Sequence, residues 1–254
     1  MKKYLLSSIG FAILILVLNI PAKAQDITAK EVIDKANELM RGKSSQGVMT
    51  MKIIRPKWER TLSFKTWSKG TEYSLIYVTA PAKEKGQVFL KREKEMWNWV
   101  PTIERMIKIP PSMMMQSWMG SDMTNDDLVK ESSIVEDYDH QITGSETIEG
   151  YDCHIIELIP HEDAAVVWGK EVLVIRDDFV LLEQQYWDQD NNLVKSMKAL
   201  EIKVMDDRPI ASIMRMQSKD SPDEWTELRT IEIEFDIELP SNLFTLSSLR
   251  NPRL

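Results

Sequence analysis

The chain holds one cysteine, Cys153, and three histidines, His140, His154 and His161, the residue types most able to build a nucleophilic or metal site. Cys153 and His154 are neighbours on an alternating stretch, so their side chains point to opposite faces and do not form a nucleophile–base pair. A contact between Cys153 and His140 across two strands is the one thiol–imidazole arrangement left open. Satisfied or surface histidines are the plainer reading, given how much geometry a triad demands. No G-x-S-x-G, H-E-x-x-H or phosphate-binding glycine loop is present. The acidic pairs Asp126-Asp127, Asp177-Asp178 and Asp206-Asp207 fall at turns or a helix start, where capping and solvation account for them. An enzyme is therefore not expected, and no catalytic residue, metal or cofactor is assigned.

What stands out instead is apolar. Met113, Met114, Met115, Met119 and Met123 crowd with Trp118 into eleven residues. Methionine is unbranched and polarizable, so such a cluster fills irregular or changing apolar volumes and suits a greasy ligand. The same residues would serve equally well as the protein's own core, and the two readings part on whether the interior is hollow.

The elements that would position this cluster follow from periodicity. Thr28-Ala-Lys-Glu31 has the form of a capping box, and Val32, Ile33, Ala36, Leu39 and Met40 recur at helical spacing until Gly42. This predicts one amphipathic helix, Thr28 to about Arg41. From Gly47 the period becomes two. Met49, Met51 and Ile53 share a face, Leu62 and Phe64 share another, and Tyr73, Leu75 and Tyr77 follow the turn at Lys69-Gly70. Val88 and Leu90 continue the meander into Met96 to Val100, which places Trp97 and Trp99 opposite Met96, Asn98 and Val100. Pro101 ends that strand, and Glu104 to Ile109 returns towards Pro110 and Pro111, which cannot donate ladder hydrogen bonds. Thr124 can cap a short helix, and Met113 to Met119 can be helical as well.

Strand patterns resume at Ser133 to Thr143 and run through Tyr151–Ile159, Glu171–Arg176, Val180–Trp187, Leu193–Val204, Ile210–Gln217 and Trp225–Ile237, with turn residues between them. Ile231, Ile233, Phe235 and Ile237 alternate against acidic residues, which predicts one wet face. So many antiparallel strands on one chain must curl, because wide sheets twist, close or split. The residue pattern predicts a mainly β fold, a curled antiparallel sheet with an N-terminal helix and a helical interruption in mid-chain.

The ends and the charge constrain location and partners. Lys2 and Lys3, an apolar run from Tyr4 to Ile20 and Ala22-Lys23-Ala24 match a signal peptide over residues 1–24 cleaved before Gln25. An uncleaved anchor is the competing reading, but the run is only as long as the shortest spanning helices. Residues 25–254 then form one exported domain, with no nearby cysteine to take a lipid and no possible internal disulfide. The formal charge of the whole chain is −8, and losing Lys2, Lys3 and Lys23 leaves −11. Such a surface repels nucleic acid and anionic headgroups. The local basic run Lys83, Lys85, Lys91, Arg92 and Lys94 reads as a solvated edge or as a dock for one acidic partner.

Three segments, PAKEKGQVFL at Pro81–Leu90, MWNWVPTIERMIKIPP at Met96–Pro111 with WMGSDMTNDDL at Trp118–Leu128, and ELPSNLFTLSSL at Glu238–Leu249, carry a family resemblance. The chain resembles the LolA-like periplasmic outer-membrane lipoprotein-sorting proteins, and within them a branch named after an uncharacterised treponemal protein domain. The resemblance implies a mainly β fold, an incomplete, strongly curved antiparallel barrel (a half-barrel) with an N-terminal helix and a mid-chain helical lid over its concave face, enclosing an apolar cavity for acyl chains. It implies a carrier, or chaperone, that takes a lipid or lipoprotein from an inner-membrane transporter of ABC or RND type to an outer-membrane acceptor. The tryptophan- and methionine-rich middle departs from LolA itself. With this resemblance, Trp97, Trp99, Met113, Met114, Met115, Trp118 and Met119 are expected in the cavity lining or lid, with Met49, Met51 and Phe64 from the sheet, in a monomer. The alternative is a binding module or envelope-stress sensor that uses the same curved sheet without transferring cargo.

Overall fold

Thr28 and Glu31 cap each other at the start of the first helix: the Thr28 side chain accepts from the Glu31 backbone, and the Glu31 carboxylate accepts from the Thr28 N–H at 2.8 Å. The computed structural model describes residues 27–129, 133–164 and 166–250, so the signal-peptide expectation lies outside the described residues. Helix α1, Ala29–Arg41, ends at Gly42, whose φ of +62° favours glycine.

Among the described residues thirteen strands follow: β1 Ser44–Arg55, β2 Trp58–Lys69, β3 Tyr73–Ala80, β4 Val88–Arg92, β5 Glu95–Val100 and β6 Arg105–Lys108 before the mid-chain segment, and β7 Tyr138–Ile148, β8 Tyr151–Pro160, β9 Lys170–Arg176, β10 Leu181–Trp187, β11 Leu193–Met205, β12 Arg208–Ser218 and β13 Trp225–Phe235 after it. They form one antiparallel sheet in the order 6-5-4-3-2-1-13-12-11-10-9-8-7. The chain starts at the centre, meanders out to β6, crosses to the opposite edge at β7 and meanders back until β13 pairs with β1. Among the described residues the sheet keeps two free edges, β6 and β7, and does not close into a barrel.

One face is concave. Met49 lies opposite Phe64 and Met51 opposite Leu62, so two apolar pairs predicted strand by strand become one patch. Across the sheet, Ile156, Leu158, Leu173 and Ile175 receive Ala29, Val32 and Ile33 of α1. The mid-chain segment covers the other half through Trp118 and Val129, which pack with Phe64, Val78, Phe89 and Met96. It contains short 3-10 turns at Pro111–Met113 and Trp118–Gly120, then α2, Asn125–Val129, and α3, Ser133–Glu136. The lid is thus mostly extended chain and turns. Residues 133–136 are helical rather than the start of a strand, which begins at Tyr138.

The convex face of β3 to β6 is also covered. Leu243, Phe244 and Leu249 of the C-terminal tail pack on Leu75, Val88 and Leu90, with Tyr73, Tyr77, Trp97, Trp99 and Met106 around them. This explains why β4 is buried on both sides. Lys91 belongs to the concave face, where its Nζ donates to the Thr71 carbonyl at 2.7 Å, so the basic run does not form one continuous surface.

The strict alternation expected in β13 is broken. Val48 pairs with Glu232 and Met49 with Thr230, which leaves Ile231 as an extra, bulged residue. Ile231 is 45% exposed, while Leu228 and Thr230 before it and Ile233 after it face the concave side.

Candidate functional site: an apolar cavity under the mid-chain cover

Between α1, the mid-chain segment and the concave face lies a cavity of about 340 Å³. Ligand pockets typically start near 300 Å³, so the space is of useful size. Its wall draws Met49, Phe64, Ile76 and Phe89 from β1 to β4, and Leu173, Met197, Met214 and Met216 from β9, β11 and β12. That distant strands share one wall is the direct mark of the sheet's curvature. Ile33, Ala36 and Met40 of α1 form one side of the roof, and Trp118, Met123 and Leu128 form the other.

Of the residues expected at the site, Met49, Phe64 and Trp118 line this cavity. Trp118 is 3% exposed, stacks on Phe64 with ring centroids 5.6 Å apart and meets Phe89 edge-on at 5.4 Å. Met51 is fully buried in the cluster with Phe64 and Trp118 and does not itself line the cavity, and Met114 and Met119 pack against the same cluster. Met113 is half-buried, and Met115 is exposed at 45%. For Trp97 and Trp99 the expectation is revised: strand alternation held, but it is Met96 of β5 that faces the cavity, and the two tryptophans serve the convex cluster under the tail. The reason is the tail itself, which partly buries the outer face of β5 as well.

Polar groups sit in the wall beneath α2. Tyr138 Oη donates to Glu171 Oε1 at 2.9 Å, and Gln184 Nε2 donates to Glu171 Oε2 at 2.7 Å. Burial pushes the Glu171 carboxyl up to about 7 against the opposing effect of these two donors. Burial and the Glu171 charge likewise raise the Tyr138 phenol above its ordinary value. Next to them, Lys195 Nζ lies 2.6 Å from Asp127 Oδ2 and 4.8 Å from the centre of the Tyr186 ring. Asp127 also caps α2, accepting from the Thr124 N–H while its own N–H donates to Thr124 Oγ1.

A second anchor holds the cover at its turn. Asp122 accepts from Arg55 at 3.1 Å and from Thr226 Oγ1 at 2.6 Å, and Arg55 also donates to the Gly120 carbonyl. Arg60 reaches the Met119 carbonyl. The cover is therefore pinned by polar contacts at these points and rests on apolar contacts elsewhere.

Sequence reasoning did not single out Tyr138, Glu171, Gln184 or Lys195. Glu171 shares its face with Leu173 and Ile175, but Val172 and Val174 are equally apolar, so nothing in that stretch marks which side turns inward.

A family model described as an uncharacterized protein matches residues 70–251. No curated protein matches the chain. Among solved structures, the chain is similar to a DUF1329 family protein from Desulfovibrio piger, at 26% identity and a TM-score of 0.78 over 87% of this chain and 97% of that one. It is similar to a putative outer membrane lipoprotein-sorting protein domain from Vibrio parahaemolyticus, at 21% identity and a TM-score of 0.76 over 87% and 98%. A LolA superfamily protein from Nitrosomonas europaea follows at 22% identity and 0.73, over 87% and 99%. The curved sheet with its covered concave face is a LolA-like fold.

Proposed function

The chain belongs to the uncharacterized-protein family matched over most of its length, and on that premise we propose that it is a periplasmic carrier for acyl chains. It would hold the fatty part of a lipid or lipoprotein in the cavity during passage from an inner-membrane transporter to an outer-membrane acceptor. The observation that carries this reading is the cavity of about 340 Å³, walled by apolar side chains and roofed by a segment that is not part of the sheet. The fold shared with lipoprotein-sorting proteins and the signal-like residues 1–24 support it.

Each methylene taken from water into such a wall contributes about 0.8 kcal/mol, so a chain of moderate length is retained without any specific polar contact. Met49, Met197, Met214 and Met216 suit the task, since unbranched side chains repack around chains of different length. Catalysis has no place in this reading. The buried carboxyl at Glu171 is held by Tyr138 and Gln184 and serves the wall.

The test is to purify the protein from its own periplasm and identify co-eluting lipids by native mass spectrometry. Recovery of an acylated molecule, released by unfolding, is the expected result. A lipid-free protein that also fails to take up a neutral apolar dye would end the carrier reading and leave a partner-binding module.

A further inference from the structure

Trp118 sits in the cavity wall with its ring between Phe64 and Phe89, and its indole Nε1–H is buried with no acceptor among the described residues. Leaving a buried donor unmade is unfavourable, and indole nitrogen can only donate. Phenylalanine would fill much of the same apolar niche without that penalty. The neighbouring polar groups of the wall have partners in the protein: Glu171 accepts from Tyr138 and Gln184, Asp127 accepts from Lys195, and Lys91 donates to Thr71. Asn37 Nδ2 of α1 also lacks a partner among the described residues, but Asn37 is only partly buried, so the Trp118 donor is the deeply buried one that asks for an acceptor from outside the chain.

We propose that Trp118 Nε1–H donates to a carbonyl oxygen of the cavity's occupant, so that the site reads the polar end of an acyl chain as well as its length. The inference rests on the carrier reading and deepens it. A carbonyl fits because the ring's surroundings, Phe64, Phe89, Met96 and Met119, are apolar and favour an acceptor attached directly to hydrocarbon. Two sources share this chemistry: the ester or amide that joins an acyl chain to its carrier group, and the carboxyl of a free fatty acid. Lys91 lies two residues from Phe89 on the same strand face, while Asp126 of α2 and Glu171 of β9 line the cavity too, so the wall carries both signs of charge and leaves the choice to experiment.

The test uses the delipidated mature chain, labelled with ¹⁵N, and three probes: methyl palmitate, palmitate and hexadecane. Each is added to displace a neutral naphthylamine dye, and the indole cross-peak lost in Trp118→Phe is followed in the wild-type protein. A downfield move of that proton with methyl palmitate supports an esterified chain, and a move with palmitate alone supports a free carboxyl. In either case Trp118→Phe should lose about fivefold to tenfold of the preference for the carbonyl-bearing probe over hexadecane, the worth of one hydrogen bond. An equal move with hexadecane, or an unchanged preference in the variant, overturns the inference while leaving the carrier reading intact. Failure of all three probes to displace the dye removes the carrier reading itself. Should Trp118→Phe not fold, the wild-type peak, assigned by its proximity to the Phe64 and Phe89 rings, still decides the matter.

Discussion

Lys195 on β11 and Asp127 on α2 lie 2.6 Å apart, and their side chains are only 8% and 7% exposed. The pair joins the cover to the far half of the sheet through a buried charge contact. Removing a single partner leaves the other charge buried and unmatched, at a cost of about 3–5 kcal/mol. Asp127→Ala and Lys195→Met should each lose stability on that scale in urea unfolding. The double variant Asp127→Leu/Lys195→Met should recover much of it. It should also slow dye exchange, since an apolar contact there has no charges to rehydrate when the cover lifts.

Glu171 makes stability depend on pH. Its folded pKa of about 7 stands above its ordinary 4.5, so between these values the folded protein holds a proton that the unfolded chain has released. Stability should therefore fall as pH rises from about 4.5 to about 7 and level off above, by on the order of 3 kcal/mol from this group. The charged neighbours are Asp127, which adds to the rise, and Lys195, which opposes it. Glu171→Gln should flatten that slope, because its amide keeps one acceptor for Gln184 and faces a Tyr138 hydroxyl able to turn. Tyr138→Phe removes a donor that holds the carboxyl down and should push the slope to higher pH. Urea midpoints at half-unit pH intervals would check both.

Cavity volume can be altered without touching polar groups. Met214 lies on β12 opposite Leu228 of β13 and Ala199 of β11, with its side chain in the cavity wall. Met214→Trp should fill part of the space and weaken binding of a long-chain probe by tenfold or more, on the order of two lost methylenes. Circular dichroism and the thermal midpoint should stay within a few degrees of wild type.

The tail should behave in the opposite way. Leu249 is fully buried against the convex face, far from the cavity wall. Leu249→Ala removes core packing and should cost about 3 kcal/mol, and Trp97→Ala about the same, with probe affinity unchanged at temperatures where both remain folded. A loss of affinity in Trp97→Ala beyond its loss of folded protein would return that residue to the site.

Gly47 marks a close approach of β1 and β13. A Cβ there would stand 2.6 Å from the Glu232 carbonyl, at the position where β13 carries its bulge. Gly47→Ala should force these strands apart and destabilise the centre of the sheet, visible as loss of amide protection in β1 and β13.

Much of the architecture was written in local pattern. Period-two alternation and turn residues are properties of a few consecutive positions, so most strands, the capped helix and its glycine stop were legible, as was the demand that so wide a sheet must curve. Ile231 shows where that legibility ends: Ile231, Ile233, Phe235 and Ile237 read as one face, and only pairing with β1 reveals the extra residue that turns Ile231 outward.

The amino-acid sequence by itself determined an antiparallel sheet with a methionine-rich interruption and the absence of any recognisable catalytic motif, because those follow from side-chain type and spacing along the chain. Which face is hollow was decided only by the tertiary structure. Trp97 and Trp99 alternate with Met96 and Asn98 identically whether the tail packs outside or not, and it is the remote Leu243, Phe244 and Leu249 that take the tryptophans for the convex core. The polar cluster of Tyr138, Glu171 and Gln184, and the Lys195–Asp127 pair, likewise draw on segments more than ten residues apart. Burial is a property of what comes to lie opposite a residue, and that partner is chosen by the fold.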